Sequence, residues 1–231
     1  MRSWVRAGRT SGTLVVSATV GLSCLGEDVV GATPGQTGRL SLLGTVNRPG
    51  VTGVRVVVRD YEPADEPSWL RCRVLAFLAT NRYDDVWPAK RRADLELVAT
   101  DGDVVIGVLD VSVPGAEATI ETVAVHPDHQ GRGVALALLT EALPRLERCG
   151  VQALVASVSE PAWFARNGFV ETSRHLHVYA SVDEVGMVLS ARHGLVPAGA
   201  LLHARIERET EMRQRFERVH VCRGMVRRIR P

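Results

Sequence analysis

From residue 54 onward, apolar and polar positions follow recognisable periods. Apolar residues three or four positions apart predict helices, and short β-branched runs between turn residues predict strands. The predicted strands are Val54–Arg59, Leu95–Thr100, Val104–Val113, Ala118–Val125, Val151–Val158, Phe169–Tyr179 and Val219–Ile229. The predicted helices are 66–79, a short one beginning at Trp87-Pro88, Gly131–Arg148, Pro161–Arg166 and Glu207–Arg218. Up to residue 180, this order predicts a mixed α/β sheet that is not doubly wound.

Individual residues predict where several of these elements bend or end. Asp101-Gly102-Asp103 predicts a hairpin turn, and Asn167-Gly168 predicts a left-handed helix end. Asp65 is a candidate helix N-cap, and Gly107 is a candidate β-bulge. Pro144 predicts a kink or an early end of its helix, because proline lacks the N–H that a helix interior uses.

The pattern is weaker between residues 181 and 205. There it indicates only short elements, around Glu184–Ala191 and Ala198–Ala204. The helix that follows has Glu209/Arg213 and Glu211/Arg215 pairs at i,i+4 in the favourable orientation, so we expect two surface ion pairs along it.

Residues 1–53 show no period that persists. They hold 10 of the 21 glycines, and five arginines against two acidic residues give them a net charge of +3. The other 178 residues carry 23 basic and 24 acidic groups, so the overall charge of +2 does not indicate a nucleic-acid partner. We interpret 1–53 as a glycine-rich leader, most simply a flexible tail. A signal peptide with Thr13–Leu25 as its apolar region, and a translation start near Val54 or Val57, are the alternatives.

The composition of the chain bears on the cellular compartment in which the protein is expected. No apolar run approaches the roughly 18 residues of a membrane span, so we expect no membrane association. The four cysteines, Cys24, Cys72, Cys149 and Cys222, lack metal-site spacing and are expected to be free thiols. A cytoplasmic location is therefore expected.

One segment carries recognisable chemistry. A predicted strand ends at Val125, and a tight loop leads into a helix near Gly131, where small residues surround the helix start. Backbone N–H groups at a helix N-terminus lack intrahelical partners and carry the positive end of the helix dipole. The segment therefore predicts a phosphate or pyrophosphate site made mainly of backbone.

The same segment resembles the acetyl-CoA motif of the GCN5-related N-acetyltransferase (GNAT) superfamily. Gln130, Gly133 and Ala135 stand at the motif positions, after the typical Ala124-Val125-His126-Pro127. The later stretch Ala162–Phe169 resembles the family's helix and Gly-Phe signature. The resemblance covers about 54–180, with 181–231 as an extension that contains the closing strand. It implies a mixed, mostly antiparallel sheet flanked by helices, with a C-terminal helix–strand extension, in one domain from 54 to 231.

The resemblance also implies how acetyl-CoA is held. In the family the motif strand splays from its neighbour, and the pantetheine arm bonds to backbone in the gap, here at Val123, Ala124 and Val125. The loop then binds the pyrophosphate through Gln130, Gly131, Arg132, Gly133, Val134 and Ala135. Ser157 stands where relatives often have a CoA-contacting Asn.

The implied reaction is direct attack of a primary amine on the acetyl thioester. Glu121 is the candidate base, since it has the strand parity of Val123 and Val125; a solvent-facing or salt-bridged Glu is the alternative interpretation, and Glu117 is a weaker candidate. Phe164 stands where the family usually has a tyrosine that protonates the departing thiolate. A phenyl ring cannot do so, which leaves open a catalytically weak acyl-CoA sensor or interaction module.

The acceptor is expected to be a small-molecule or peptide amine, held near Tyr83, Asp84 and Asp85, where relatives form the floor of the acceptor site. No nucleic acid is expected, and the chain is expected to be a monomer or homodimer. His175 and His177 would share one strand face, but no third ligand is apparent, so we interpret them as packing residues and expect no metal.

Overall fold

The computed structural model describes the backbone of Val15–Ser17 and residues 56–185 and 199–229. The strands are β1 Val15–Ser17, β2 Val56–Asp60, β3 Leu95–Asp101, β4 Val104–Ser112, β5 Glu117–Val125, β6 Ala153–Val158, β7 Val170–Ala180, β8 Ala200–Arg205 and β9 Arg218–Arg228. The α-helices are α1 Glu66–Phe77, α2 Val134–Arg148, α3 Ala162–Arg166, α4 Val182–Val185 and α5 Glu209–Arg215. Short 3₁₀ turns cover Pro63–Asp65, Pro127–His129 and Ile206–Arg208.

The strands form one sheet in the order β2-β3-β4-β5-β6-β9-β7-β8. Along this path only β5 and β6 run parallel, which confirms the predicted mixed, mostly antiparallel sheet. The last strand, β9, lies between β6 and β7. β1 lies outside this path and pairs with β5, so the segment predicted as an irregular leader contains one short strand.

Helices cover both faces of the sheet. On one face α2 packs through Leu138 and Leu139 on β3 to β6, in a core that also holds Phe164. On the opposite face α1 packs through Trp69 and Phe77 on β3, β4 and β5. β4 and β5 are therefore buried along most of their length, as expected of strands covered on both sides.

A third core lies at the far end of the sheet. There α5 packs through Met212 on β7, β8 and β9. Both i,i+4 ion pairs predicted for this helix are present, although it spans only Glu209–Arg215. Of the short elements expected before it, a helical turn at Val182–Val185 and β8 are observed; residues 186–198 lie outside the described part of the chain.

Gly107 allows α2 to approach the sheet closely. A Cβ at this position would lie 2.5 Å from Val134 Cγ1, so any side chain would force Val134 at the start of α2 to move. The expected bulge is observed beside it: Ala99 pairs with Gly107 and Thr100 with Val105, which leaves Ile106 as the extra residue.

Two helix predictions need correction at α2. The helix begins at Val134 and not at Gly131, because Gly131 and Gly133 have φ of +73° and +84°, outside the right-handed helical region. It also continues through Pro144 to the predicted end at Arg148, so the early end that Pro144 indicated is wrong. Pro144 is exposed, so water can satisfy the carbonyl of Thr140, which is exposed too.

The helix predicted from Trp87-Pro88 is wrong. This segment is irregular because carboxylates capture its backbone amides: Lys90 N–H donates to Glu66 (2.8 Å) and Ala93 N–H donates to Glu96 (3.0 Å). Trp87 stacks on Trp69, with ring centroids 5.8 Å apart. Tertiary contacts therefore override the local pattern.

Asp65 does not cap α1 with its side chain. Its carboxylate instead accepts from the backbone N–H of Glu62 at 2.8 Å and from both terminal nitrogens of Arg59 at 2.6 and 2.7 Å. The residue therefore fixes the turn that precedes α1 and ties it to the end of β2.

Candidate functional site

β5 and β6 diverge after the first third of β5. They pair only over Glu117–Thr119 and Ala153–Val155, so β5 from residue 120 onward has left β6. A bulge lies at the same place: Val111 pairs with Ile120 and Asp110 with Thr122, which makes Glu121 the extra residue. Bulges bend the strand that carries them, and this one accompanies the divergence of the two strands.

Because of the bulge, Glu121 does not have the strand parity of Val123 and Val125 that the sequence predicted. Ile120, Val123 and Val125 all pack in the core beneath α2, so the alternation changes phase between residues 120 and 123. Glu121 is half-buried and is hydrogen-bonded to the Ser112 side chain, with the positive charge of Arg91 nearby. Burial raises the pKa of Glu121, and Ser112 and Arg91 only partly oppose this rise. A carboxylate with a raised pKa is a stronger base.

The loop after β5 is held by Gln130. Its side-chain amide donates to the carbonyl of Val125 at 3.0 Å, which closes the loop on the strand that it leaves. Gly131 and Gly133 then adopt positive φ, and a Cβ on either would meet open space. The backbone conformation, and not close packing, therefore requires glycine at both positions.

The loop opens onto a cavity of about 360 Å³ at the N-terminus of α2. No side chain caps α2, and the N–H groups of its first turn have no partners within the helix. Of the residues predicted to bind acetyl-CoA, the cavity brings together Val125, Gln130, Gly131, Gly133, Val134 and Ala135. Arg132 is exposed and does not line it.

Residues of α3 form the other wall of the cavity, and they were not predicted from the sequence. Trp163, Arg166 and Asn167 line it, together with His129 and Leu136. Positions 163, 166 and 167 share one helix face, so the i, i+3, i+4 spacing could have indicated them. The wall contributes an exposed guanidinium, Arg166, opposite the α2 amides.

Two predicted acetyl-CoA residues lie elsewhere. Phe164 is fully buried and packs edge-to-face on Trp163 and Phe169, with centroids 4.9 and 5.2 Å away. It is a core residue because a phenyl ring gains free energy from burial and has no polar group to expose. Ser157 lies on β6 opposite Gly224 of β9 and does not line the cavity.

The backbone expected to hold the pantetheine arm is paired in the structure. Thr122, Val123 and Ala124 pair antiparallel with Ser17, Val16 and Val15 of β1. The edge that β5 presents after leaving β6 therefore does accept an extended segment, here one from the chain itself.

Tyr83, Asp84 and Asp85 are engaged in structural contacts. Asp84 accepts two hydrogen bonds from Arg218, at 2.6 and 3.0 Å, and this pairing lowers the pKa of Asp84. Arg218 also lies 4.8 Å from the Tyr83 ring centroid. Asp85 is bonded to the fully buried Arg73 at 2.7 Å and to the Trp87 indole at 2.9 Å. Arginines therefore largely neutralise the charge of this acidic pair, which weakens the attraction that was expected for a cationic amine.

Beyond the site, no helix in the described ranges 56–185 and 199–229 combines the length and apolarity needed to cross a membrane.

Comparison with known proteins identifies the family of part of the chain. Residues 55–169 match the sequence model of the acetyltransferase (GNAT) family. No curated protein matches the sequence.

Solved structures that resemble the chain include the ribosomal-protein-S18-alanine N-acetyltransferase of Escherichia coli (20% identity, TM-score 0.49, 76% of this chain and 95% of that one). N-acetylglutamate synthase of Neisseria gonorrhoeae has 17% identity and a TM-score of 0.46 over 78% of this chain and 36% of that one. A putative acetyltransferase of Salmonella typhimurium, solved with acetyl-CoA, has 18% identity and a TM-score of 0.45 over 75% and 94%.

The family match spans both the loop Gln130–Ala135 and the stretch Ala162–Phe169. Together with the parting of β5 from β6 and the uncapped start of α2, it assigns residues 55–169 of the chain to the acetyltransferase (GNAT) family.

Proposed function

We propose that the chain transfers the acetyl group of acetyl-CoA to a primary amine of a small molecule or peptide. The observation that carries the proposal is the uncapped N-terminus of α2, preceded by two glycines with positive φ and open to a cavity beside diverging strands. Such backbone amides suit a pyrophosphate. Arg166 from α3 adds a positive charge on the other side of the cavity.

The pantetheine arm would run from this cavity along the edge of β5 that has left β6 and that β1 occupies in the structure. Because one strand edge accommodates one extended partner, the arm and β1 compete for Val123 and its neighbours. Binding of acetyl-CoA would therefore displace β1 from that edge.

Glu121 would accept the proton of the attacking amine, directly or through a water molecule. A base must be unprotonated and yet strong, and burial gives Glu121 a pKa above that of an ordinary glutamate. A backbone N–H near Val125 would stabilise the oxyanion of the tetrahedral intermediate. The thiol of CoA, with a pKa of about 8.5, can leave as the thiolate without an acid.

The first experiment measures acetyl-CoA binding by calorimetry in two glycine variants. Gly133→Ala and Gly150→Ala both place a Cβ at positive φ in open space, but only Gly133 lines the cavity. Both should lose about 1–2 kcal/mol of stability. Only Gly133→Ala should also weaken acetyl-CoA binding, by about tenfold or more. Equal affinities in the two variants would contradict the proposed pyrophosphate site.

The second experiment follows release of CoA thiol over a panel of small amines, amino acids and peptides. Turnover with any of them supports the transferase. The alternative function is an acyl-CoA sensor, favoured by the burial of Phe164 and by the absence of tyrosine from the cavity lining. Tight binding without turnover across the whole panel would support the sensor and contradict the transferase.

A further inference from the structure

Three histidines meet on β7 and β8, outside the acetyl-CoA cavity. His177 pairs directly with His203 across the two strands, and His175 lies two residues before His177. Side chains of paired residues, and of residues two apart, point to the same face of a sheet. The register therefore places His203 beside His177 on one side and His220 of β9 on the other, and the distances select His175, His177 and His203 as the set.

The distances fit a metal ion. One ring nitrogen from each histidine lies within 4.8 Å of the other two. The Nε2 atoms of His175 and His177 are 3.1 Å apart. Two imidazole nitrogens on a tetrahedral Zn²⁺ are roughly 3.3 Å apart, given Zn–N bonds of about 2.0–2.1 Å. His203 stacks on His177, with ring centroids 4.6 Å apart and ring planes 7° from parallel, so one of these rings must rotate to complete the set.

Hydrogen bonding within the protein does not account for the cluster. His177 is 2% exposed, and its Nδ1 is buried with no hydrogen-bond partner in the described part of the chain. Among the described residues, the three rings make one hydrogen bond, which joins the Nε2 atoms of His175 and His177.

Burial favours the neutral form of His175 and His177, which is the form that binds metals. Burial, together with His203, lowers the pKa of both His175 and His177. Arg82 and His220 act on His177 in the same direction. No carboxylate among the described residues is hydrogen-bonded to the three rings.

An ion can reach the cluster from solvent. His175 and His203 line an open cavity of about 550 Å³, with Glu207 and two arginines. The guanidinium of Arg174 is already bonded to Glu171 at 2.6 and 2.9 Å, which offsets its charge. The open side leaves a fourth coordination position for water or another ligand.

We propose that His175, His177 and His203 form a binding site for a divalent transition metal, with Zn²⁺ as the representative ion. Three imidazoles suit Zn²⁺, Cu²⁺, Ni²⁺ and Co²⁺ and do not suit Mg²⁺ or Ca²⁺, which prefer oxygen. The ion joins β7 to β8, the two strands on either side of residues 181–199. The three ligands are absent from the lining of the acetyl-CoA cavity, so this proposal does not rest on the proposed function.

The test uses the full chain without an affinity tag, stripped of metal by a chelator and kept reduced. Zn²⁺ is titrated in competition with a chromophoric chelator, and Co²⁺ is added separately to record its visible spectrum. We expect one Zn²⁺ per chain, bound with micromolar affinity or tighter, and an intense tetrahedral Co²⁺ band. His203→Ala should weaken Zn²⁺ binding at least about 100-fold and abolish the band.

The exposed position of His203 makes it the safest ligand to replace, and circular dichroism checks the fold of each variant. His175→Gln provides a second ligand variant and should behave as His203→Ala does. His129→Ala is the matched control, because His129 and His126 form a neighbouring histidine pair away from the cluster. It should bind Zn²⁺ as the unaltered chain does. Absence of Zn²⁺ binding, unchanged binding in both ligand variants, or equal weakening in His129→Ala would overturn the site.

Discussion

At the scale of single residues, one extra amino acid in β5 decides what Glu121 can do. Without the bulge, Glu121 would follow the alternation of Val123 and Val125 into the core beneath α2. The bulge leaves it half-buried beside Ser112 and Arg91. A carboxylate in this position is near enough to solvent to exchange protons and buried enough to be a stronger base than an exposed one.

Replacing Glu121 with Gln tests this role. We expect kcat/KM to fall by about 10²–10⁴-fold with little change in acetyl-CoA affinity, because only proton transfer is lost. In the unaltered chain, activity should rise with pH through a pKa above that of ordinary glutamate, since the unprotonated form is active. That rise should disappear in Glu121→Gln. Glu117→Gln, at the exposed start of β5, is the control, and equal activity of the two variants would remove Glu121 as the base.

At the scale of elements, the acetyl-CoA cavity depends on how closely α2 approaches β4. Gly107 permits that approach, and the glycines of the loop then turn the chain into the helix. The packing of α2 on β4 and the backbone conformation of the loop therefore both position the amides at the start of α2. α3 completes the cavity from the opposite side through Trp163 and Arg166.

Gly107→Ala should displace the start of α2, because its Cβ would lie 2.5 Å from Val134 Cγ1. We expect a loss of about 1–3 kcal/mol in the free energy of unfolding, as for other overpacked cores. Acetyl-CoA affinity should also fall, measured by calorimetry on the folded variant. Gly115→Ala meets nothing within 4 Å and should alter neither quantity. Unchanged affinity in folded Gly107→Ala would show that the amides do not depend on this contact.

At the scale of the whole molecule, one buried carboxyl group should make stability depend on pH. Asp110 is 2% exposed, and its carboxylate lies 3.4 Å from the Lys90 ammonium. Lys90 is also paired with Glu96, so two carboxylates share one positive charge. Burial raises the pKa of Asp110 to about 7, against the opposing effect of Lys90. An unfolded aspartate titrates near 3.9, so between these values the folded chain binds the proton more strongly.

The contribution of Asp110 to the free energy of unfolding should therefore fall as pH rises from about 4 to about 7. Asp110→Asn removes this titration. The stability of the variant relative to the unaltered chain should improve over that range by at most about 4 kcal/mol, measured by urea unfolding at several pH values. Asp103→Asn, in an exposed turn, is the control. A constant difference between Asp110→Asn and the unaltered chain would contradict the assignment.

Features that depend on interactions between neighbouring residues were predicted from the sequence, and features that depend on distant residues were not. The turn at Gly102 and the helix end at Gly168 are set by neighbouring residues, and both were predicted. The segment after α1 was not, because its amides bond to Glu66 and Glu96, which belong to other elements.

The candidate site likewise has a part that the sequence predicted and a part that it did not. The loop Gln130–Ala135 is contiguous and was found. The wall from α3 and the position of His203 depend on packing and strand register across many residues, which a single sequence does not reveal.

The position of β9 in the sheet has a consequence for synthesis of the chain on the ribosome. Because β9 lies between β6 and β7, a nascent chain that has not yet emerged to Arg228 exposes two unpaired strand edges. Such edges can pair with other chains, which makes this interval the one most open to aggregation. Folding of the sheet is thus completed only when its last strand inserts into the middle, so chaperones that shield strand edges should matter most during this late step.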